Sequence, residues 1–374
     1  MFITDIQTSH QTVLLKKPFK TALRTTDHAQ AVIVQVFASN GMIGLGEAVP
    51  TLAITGENVE GIEATILQII KPALLGRNIL NYESIFHLLH KTSVRNTSAK
   101  AAVDMAIYDL LAQFHHLPLY QFLGGEAPEG DELQIETDYT VSVNSPEEMS
   151  EDALEYVSEG FRILKVKVGK DDIEKDILRI KGIRDQIGPS VKIRVDANQG
   201  WQAKEAIRAI TTMEDMGLNL DIVEQPVAAH DISGLKRVTE NVLTPIMADE
   251  AVFSTLDAFE VLKQRAADFI NIKLMKSGGI YKASIINHFA EECGVQCMVG
   301  SMIESHLAVT AAAHFAASKR NITRYDFDAP LMLVEKVIEG GITYNSNMIT
   351  ISNEPGLGIR SMKEDRRTVR EAHK

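Results

Sequence analysis

Six ionisable or hydroxyl-bearing residues recur through the second half of the chain at a nearly constant interval. That interval limits the fold more than any other feature of the sequence. Lys167, Asp196, Glu224, Asp249, Lys273 and Ser301 are 29, 28, 25, 24 and 28 residues apart. Each closes a short apolar run, from Ile163-Leu164-Lys165-Val166-Lys167 to Cys297-Met298-Val299-Gly300-Ser301. A strand, a loop, a helix and a second loop together consume such a length, so the period predicts a β/α barrel. Thr140 lies one period before Lys167, and Asp328 one period after Ser301. Eight strands result. Barrel strands open their C-terminal ends onto one face, so these residues are expected around one pocket.

Asp196, Glu224 and Asp249 come from three successive strands. Three carboxylates with no His or Cys nearby suit a hard divalent cation, and magnesium is the candidate. One such acid alone would read better as a helix cap or a surface ion pair. Three in register with the period favour a metal. Lys165 and Lys167 stand two apart and point to the same side of their strand. Ile163, Leu164, Val166 and Val168 mark that strand as buried. Like-charge repulsion from Lys165 can lower the pKa of Lys167, which would suit Lys167 to act as a general base. Lys273, on the sixth strand, lies opposite the second strand in an eight-stranded ring. Two lysines could then address the two faces of one carbon, with the metal between them.

The N-terminal third lacks this period. Ala31–Val36 is strand-like, Gly41, Gly44 and Gly46 read as turn markers, and helical patterns follow around Val59–Ile70, Asn81–Leu89 and Ala99–Ala112. Strands first and helices after predict an α+β capping domain over residues 1–125. The barrel domain is expected over 133–330. No long helix pattern follows Asp328, so the fold class is α/β, a (β/α)7β modified TIM barrel with an α+β cap. Residues 331–359 are expected to return to the capping domain, and 360–374 to form a mobile tail.

The chain has 374 residues and a net charge of -12, which argues against nucleic acid as a main partner. No apolar run reaches membrane-spanning length, and Met1–Ile6 lacks a basic leader, so a cytoplasmic enzyme that does not bind membranes is expected. Two cysteines, Cys293 and Cys297, support neither a disulfide framework nor a four-ligand zinc site and are expected as buried, reduced thiols.

Taken together, Lys165-Val166-Lys167, Asp196-Ala197-Asn198, Glu224-Gln225-Pro226, Ala248-Asp249-Glu250 and Lys273 resemble the muconate-lactonizing subgroup of the enolase superfamily. Gly44-Leu45-Gly46-Glu47-Ala48 looks like the subgroup's capping domain. That chemistry uses a Lys base with Mg²⁺ stabilising an ene-diolate. Asp326-Phe327-Asp328 and the stretches Thr21–Thr26 and Thr51–Gly56 are similar to the dipeptide epimerases, in particular the L-Ala-D/L-Glu epimerase family, which acts on a peptide released from murein. The resemblance implies a Mg²⁺-dependent epimerisation by two-lysine 1,1-proton transfer through an enolate. Lys167 and Lys273 would be the bases, Lys165 would flank the substrate carboxylate, and Asp326 and Asp328 would receive its ammonium group. Arg24 would hold a glutamate side chain, Ser301 would line the carboxyl end, and Thr140 would touch the substrate. A homo-oligomer is expected, because barrels of this kind commonly associate. The rival readings are o-succinylbenzoate synthase, N-acylamino-acid racemase or muconate cycloisomerase activity on the same scaffold, a non-catalytic metal-binding scaffold, and an unrelated Mg²⁺-dependent aldolase barrel.

Overall fold

The computed structural model describes residues 1–128 and 133–363. It opens with an antiparallel sheet of β1 (Ile3–Lys20), β2 (Thr25–Ala38) and β3 (Ile43–Ala48). Val32, Val34 and Val36 alternate along β2, so one face of the sheet is buried. The helix Thr97–Phe114 packs on that sheet and is buried from Ser98 to Ala112. A Cβ on Gly44 would stand 2.0 Å from Ala106 O, and one on Gly46 1.9 Å from Ala102 O. These two glycines therefore permit a close approach of strand to helix, which corrects their reading as turn markers. Of the three, Gly41 alone has a positive φ, +87°, and lies in the turn between β2 and β3. The helix expected around Val59–Ile70 is α-helical over Val59–Ala64, then becomes a π-helix over Thr65–Ile70. Pro72 follows and has no N–H with which to close an ordinary α-turn.

The strand β4 (Leu133–Glu136) stays outside the barrel. The barrel consists of β5 (Tyr139–Val141), β6 (Ile163–Lys167), β7 (Lys192–Asp196), β8 (Leu220–Glu224), β9 (Ile246–Ala248), β10 (Phe269–Ile272), β11 (Gln296–Gly300) and β12 (Ile322–Asp326). These strands are parallel and lie side by side in sequence order. The intervening helices cover the outside. One, Pro146–Ser158, starts at a capping box of Ser145 and Glu148 and stops before Gly160 at φ +104°. Side chains bridge the seam between β5 and β12. Phe327 N donates to Thr137 Oγ1 at 2.9 Å, and Thr140 N donates to Asp328 Oδ2 at 2.6 Å. Among the described residues, only the four-residue helix Ala329–Met332 follows β12. The result is a nearly closed (β/α)7β barrel with a strand-rich cap.

The C-terminal segment supplies β13 (Ile338–Gly340), β14 (Thr343–Asn345), β15 (Met348–Ile351) and β16 (Ile359–Met362). β15 pairs with β14 and β4, and β13 pairs with β16. Val334 N donates to Leu14 O and Leu119 N to Gly356 O, so this segment lies against the N-terminal third. Residues 360–362, expected within a mobile tail, are held in β16 by the ladder to β13. Residues 364–374 of that expected tail lie outside the described residues, as do 129–132, between the two expected domains. Cys297 is buried and Cys293 is exposed, so only one of the two thiols matches the expectation of burial. No described helix is long and apolar enough to cross a membrane.

Two buried acids of the cap end on barrel helices. Glu47, on β3, accepts from Ser305 N at 2.8 Å, from Ser305 Oγ, and from Ala308 N at 3.2 Å, at the start of the helix His306–Ala317. Asp104 accepts from Ile280 N at 2.6 Å and Tyr281 N at 3.3 Å, at the start of the helix Ile280–Glu292. A carboxylate in the first turn satisfies free N–H groups and matches the helix dipole.

Candidate active site

Strand register brings the periodic residues into one row. Lys167, Asp196 and Glu224 are the last residues of β6, β7 and β8 and are direct cross-strand partners. Asp249, Lys273 and Ser301 are the residues immediately after β9, β10 and β11. The turns beyond the strands are tight. Asn198, Gln199 and Gln225 all have positive φ, a backbone state that non-glycine residues adopt where surrounding structure imposes it. Gln225 Oε1 accepts from Asp249 N and Ala251 N, so the end of β8 fixes the turn after β9.

The side chains form one buried charge network. Lys165 Nζ is 2.8 Å from Glu224 Oε2, 2.8 Å from Asp326 Oδ2 and 3.2 Å from Asp196 Oδ2. Lys167 Nζ is 2.6 Å from Asp196 Oδ2. Lys273 Nζ and Lys276 Nζ take the two oxygens of Asp249, at 2.8 and 2.5 Å. Asn271 Nδ2 donates to Glu224 Oε1 at 2.7 Å. Among the described residues, no three His, Cys, Asp or Glu side chains stand close enough to hold a metal ion as they are placed. The physical reason is visible in the distances: Lys165 bridges Asp196 and Glu224, and two lysines hold Asp249.

Burial opposes the charge of Lys165, but Asp326, Glu224, Asp196 and Asp249 hold its pKa well above the usual range. Lys165 thus remains a cation among Asp196, Glu224 and Asp326. Burial also opposes the charge on Asp249, yet Lys273, Lys276 and Lys165 keep its pKa below the ordinary value. Asp196 is lowered in the same way, against burial, by Lys167 and Lys165. Other acids here lack enough positive charge. Burial and then Asp249 push Glu250 up to about 8, while burial and Asp326 push Asp328 up to about 7.

The donor set fits a hard cation. Asp196, Glu224 and Asp249 are at most 1% exposed. Beside them, Glu250 Oε2 and Asn198 Oδ1 are buried without a hydrogen-bond partner. Oxygen donors of this kind suit magnesium, and its charge would supply what the raised acids lack.

A cavity of about 60 Å³ opens above this network and is lined by Lys165, Lys167, Asp249, Lys273, Ser301, Asp326, Asp328, Thr140 and Arg24. Asp326 closes β12, but Asp328 lies beyond the strand, in a helical conformation at the head of Ala329–Met332. A spacing of two would put both acids on one side of a strand, but the two do not share a strand face. They meet because the chain turns between them. Thr140 N fixes Asp328 Oδ2, and Ser301 Oγ donates to Asp326 O at 3.3 Å. Arg24 is half-buried, and among the described residues no acid lies within ion-pair distance of it. Burial lowers its pKa.

Sequence reasoning missed several residues of the site. Phe19, Met302 and Ile303 line the cavity, but an apolar side chain at such a position carries no distinguishing signal. Asn271 and Lys276 were legible in principle. Asn271 lies two residues before Lys273, on the same face of its strand. Lys276 is a lysine three residues on, in a short apolar stretch before Gly278-Gly279.

Comparison with known proteins assigns both parts of the chain. Residues 3–124 match the family profile described as mandelate racemase / muconate lactonizing enzyme, N-terminal domain. Residues 148–366 match the profile described as enolase C-terminal domain-like. The L-Ala-D/L-Glu epimerase of Bacillus subtilis is 58% identical over 96% of this chain and 97% of its own length. A structure of the Bacillus subtilis L-Ala-D/L-Glu epimerase in a substrate-liganded complex superposes with a TM-score of 0.95, at 57% identity, over 97% of this chain and 100% of that one. A dipeptide epimerase of Enterococcus faecalis, complexed with Mg and the dipeptide L-Leu-L-Tyr, gives a TM-score of 0.91 at 42% identity, over 96% of this chain and 100% of that one.

Proposed function

The chain belongs to the mandelate racemase/muconate lactonizing enzyme family of the enolase superfamily, and from that membership we propose a Mg²⁺-dependent epimerisation of dipeptides, with L-Ala-L-Glu and L-Ala-D-Glu as the favoured pair. It is an isomerase, a dipeptide epimerase. The observation that carries the finer reading is the placement of Lys167 and Lys273 from the second and sixth barrel strands in one cavity with Asp326 and Asp328.

Asp196, Glu224 and Asp249 would hold the magnesium ion. When bound, Mg²⁺ supplies Lewis-acid stabilisation of negative charge on the substrate's carboxylate. Lys165 donates to that carboxylate, where a second negative charge gathers as the α-proton leaves. Lys167 takes the proton from one face of the C-terminal residue's α-carbon, and Lys273 returns one to the other face. The configuration inverts, and the reverse reaction exchanges the two roles. Asp326 and Asp328 receive the N-terminal ammonium group. Arg24, which has no acidic partner among the described residues, pairs with the glutamate side chain. Thr140 N fixes the Asp328 carboxylate, and Ser301 lines the cavity at the carboxyl end with its Oγ on the main-chain carbonyl of Asp326. The enzyme acts in the cytoplasm on peptides released from murein.

The pair of buried acids separates this reading from o-succinylbenzoate synthase, muconate cycloisomerase and N-acylamino-acid racemase, whose substrates bring no free α-ammonium. The test compares L-Ala-L-Glu with its N-acetyl form in D₂O, reading deuterium at the C-terminal α-carbon by mass spectrometry. A carboxylate pair buried without a cation is costly, so the acetylated peptide should react far more slowly. Equal kcat/KM for the two would replace the dipeptide reading with the N-acylamino-acid one.

A further inference from the structure

A second cavity lies across Phe19 and Thr140 from the lysines. Its volume is about 300 Å³, against about 60 Å³ around the lysines. Phe19 and Thr140 line both cavities. Lys167 Nζ stands 5.9 Å from the centre of the Phe19 ring, and Thr140 N holds Asp328. The partition is therefore one aromatic side chain and the residue that fixes an acid of the candidate site.

A break in the cap hairpin opens this space. Leu14 pairs with His28 and Phe19 pairs with Thr26, so five steps along β1 match two along β2. The surplus chain bulges outward, and Lys16, Lys17 and Pro18 line the cavity. The bulge is pinned on several sides. Lys17 Nζ pairs with Asp152 at 2.9 Å and Glu155 at 2.7 Å, and Lys20 Nζ donates to Asn144 Oδ1 at 2.7 Å. Leu15 bridges to Leu333 of the C-terminal segment. The opposite wall is aromatic. Tyr139 packs against Tyr156 at 4.1 Å and against Phe161 at 4.8 Å between ring centres. Tyr344 Oη donates to Phe327 O at 2.6 Å, which ties a third tyrosine to the Asp326–Asp328 turn.

We propose that this chamber receives the side chain of the dipeptide's N-terminal residue, and that it suits an apolar chain of several carbons. The proposal rests on the dipeptide reading given above. In an amino acid, the ammonium nitrogen and the side chain leave the same carbon. A nitrogen held at Asp328 therefore puts the side chain beside Thr140 and Phe19, at the partition. The lysine cavity is the smaller of the two, about 60 Å³ against about 300 Å³, so the larger space is the one that suits a bulky side chain. The chamber's rings offer apolar contact, Lys17 and Glu155 at its rim neutralise one another, and Lys16 and Glu159 lie exposed at the same rim. Its aromatic inner wall favours size over charge.

The test measures kcat/KM for L-Leu-L-Glu and L-Ala-L-Glu with the full-length protein and two variants that narrow the chamber. Ser142→Phe fills it from the residue after β5 but removes the hydroxyl that accepts Lys20 N–H. Glu159→Trp narrows it from the exposed rim, where the native side chain makes no ion pair among the described residues. The wild-type protein should turn over L-Leu-L-Glu within about tenfold of L-Ala-L-Glu. Each variant should lower L-Leu-L-Glu by at least roughly tenfold, the scale of methylene discrimination in an apolar pocket, and L-Ala-L-Glu by less than about twofold. Variants that slow both dipeptides equally would overturn the assignment, as would a wild-type protein that turns over only L-Ala-L-Glu. Exchange with neither dipeptide would overturn the epimerase reading itself, and the chamber's role with it.

Discussion

Lys273→Ala should abolish inversion while leaving half of the proton exchange in place. Lys273 Nζ is 2.8 Å from Asp249 Oδ2, but Lys276 Nζ lies 2.5 Å from Asp249 Oδ1 and remains in the variant. The truncation therefore does not strand a buried carboxylate, a defect that costs about 3–5 kcal/mol. The fold should survive, and the loss should fall on the chemistry. A positioned acid–base group contributes roughly 10²–10⁴-fold, which is about 2.7–5.4 kcal/mol of barrier at about 1.36 kcal/mol per decade. Lys167 keeps its contact with Asp196 and its place at the end of β6. In D₂O, L-Ala-L-Glu and L-Ala-D-Glu are incubated separately, and deuterium and configuration are read by mass spectrometry and chiral chromatography. The variant should exchange the α-hydrogen of one epimer only, and Lys167→Ala should show the opposite selectivity. If Lys273→Ala interconverts both epimers at the normal rate, the two-base mechanism is wrong.

Prolonged chelation should abolish exchange and added Mg²⁺ should restore it; full turnover in a metal-free sample would contradict the role given to Asp196, Glu224 and Asp249. Arg24→Ala should reduce the preference for L-Ala-L-Glu over L-Ala-L-Leu by about 1.5–3 kcal/mol, read as a ratio of kcat/KM values, and an unchanged ratio would remove Arg24 from the site. Stability should fall as pH drops below about 6.5, because burial lowers His314 and His90 to about 3 and His306 to about 4. The folded state binds fewer protons than the unfolded chain in that window, so each such histidine contributes a slope of up to about 1.4 kcal/mol per pH unit. His314 Nδ1 accepts from Tyr120 N, and His314→Asn keeps an acceptor while removing the titration. Urea midpoints between pH 7 and 5 should then depend less on pH, and an unchanged slope would show that His314 is not kept neutral.

The barrel was legible because its strand ends carry charge. A buried parallel strand is otherwise a plain apolar run, and Lys167, Asp196 and Glu224 stand out against such runs at a regular spacing. Packing was less legible. Gly44 and Gly46 look like any turn glycines until the helix Thr97–Phe114 lies against them. Asp326 and Asp328 suggest one strand face by their spacing, but the strand ends between them. The expected repulsion between Lys165 and Lys167 left out the acids: three carboxylates surround Lys165, a fact of three-dimensional placement that no local spacing contains. Phe19 reached the site through a break in strand register, and that break depends on contacts with Asp152, Glu155 and Leu333, far away in sequence.

Glu47 and Asp104 have a consequence for anyone wishing to exchange parts among relatives. Each acid belongs to the cap, yet the N–H groups it satisfies belong to the barrel. A chimera joining a foreign cap to this barrel inherits two helix starts whose donors were completed by the discarded half. The graft succeeds when the incoming cap brings carboxylates to both places. Otherwise two buried helix ends lose their acceptors at once, each worth about 0.5–2 kcal/mol. One of those ends follows directly on the turn that carries Ser301, Met302 and Ile303 into the cavity. Recombination between residues 125 and 133 would thus disturb the barrel side of the pocket in addition to exchanging Phe19 and Arg24 on its cap side.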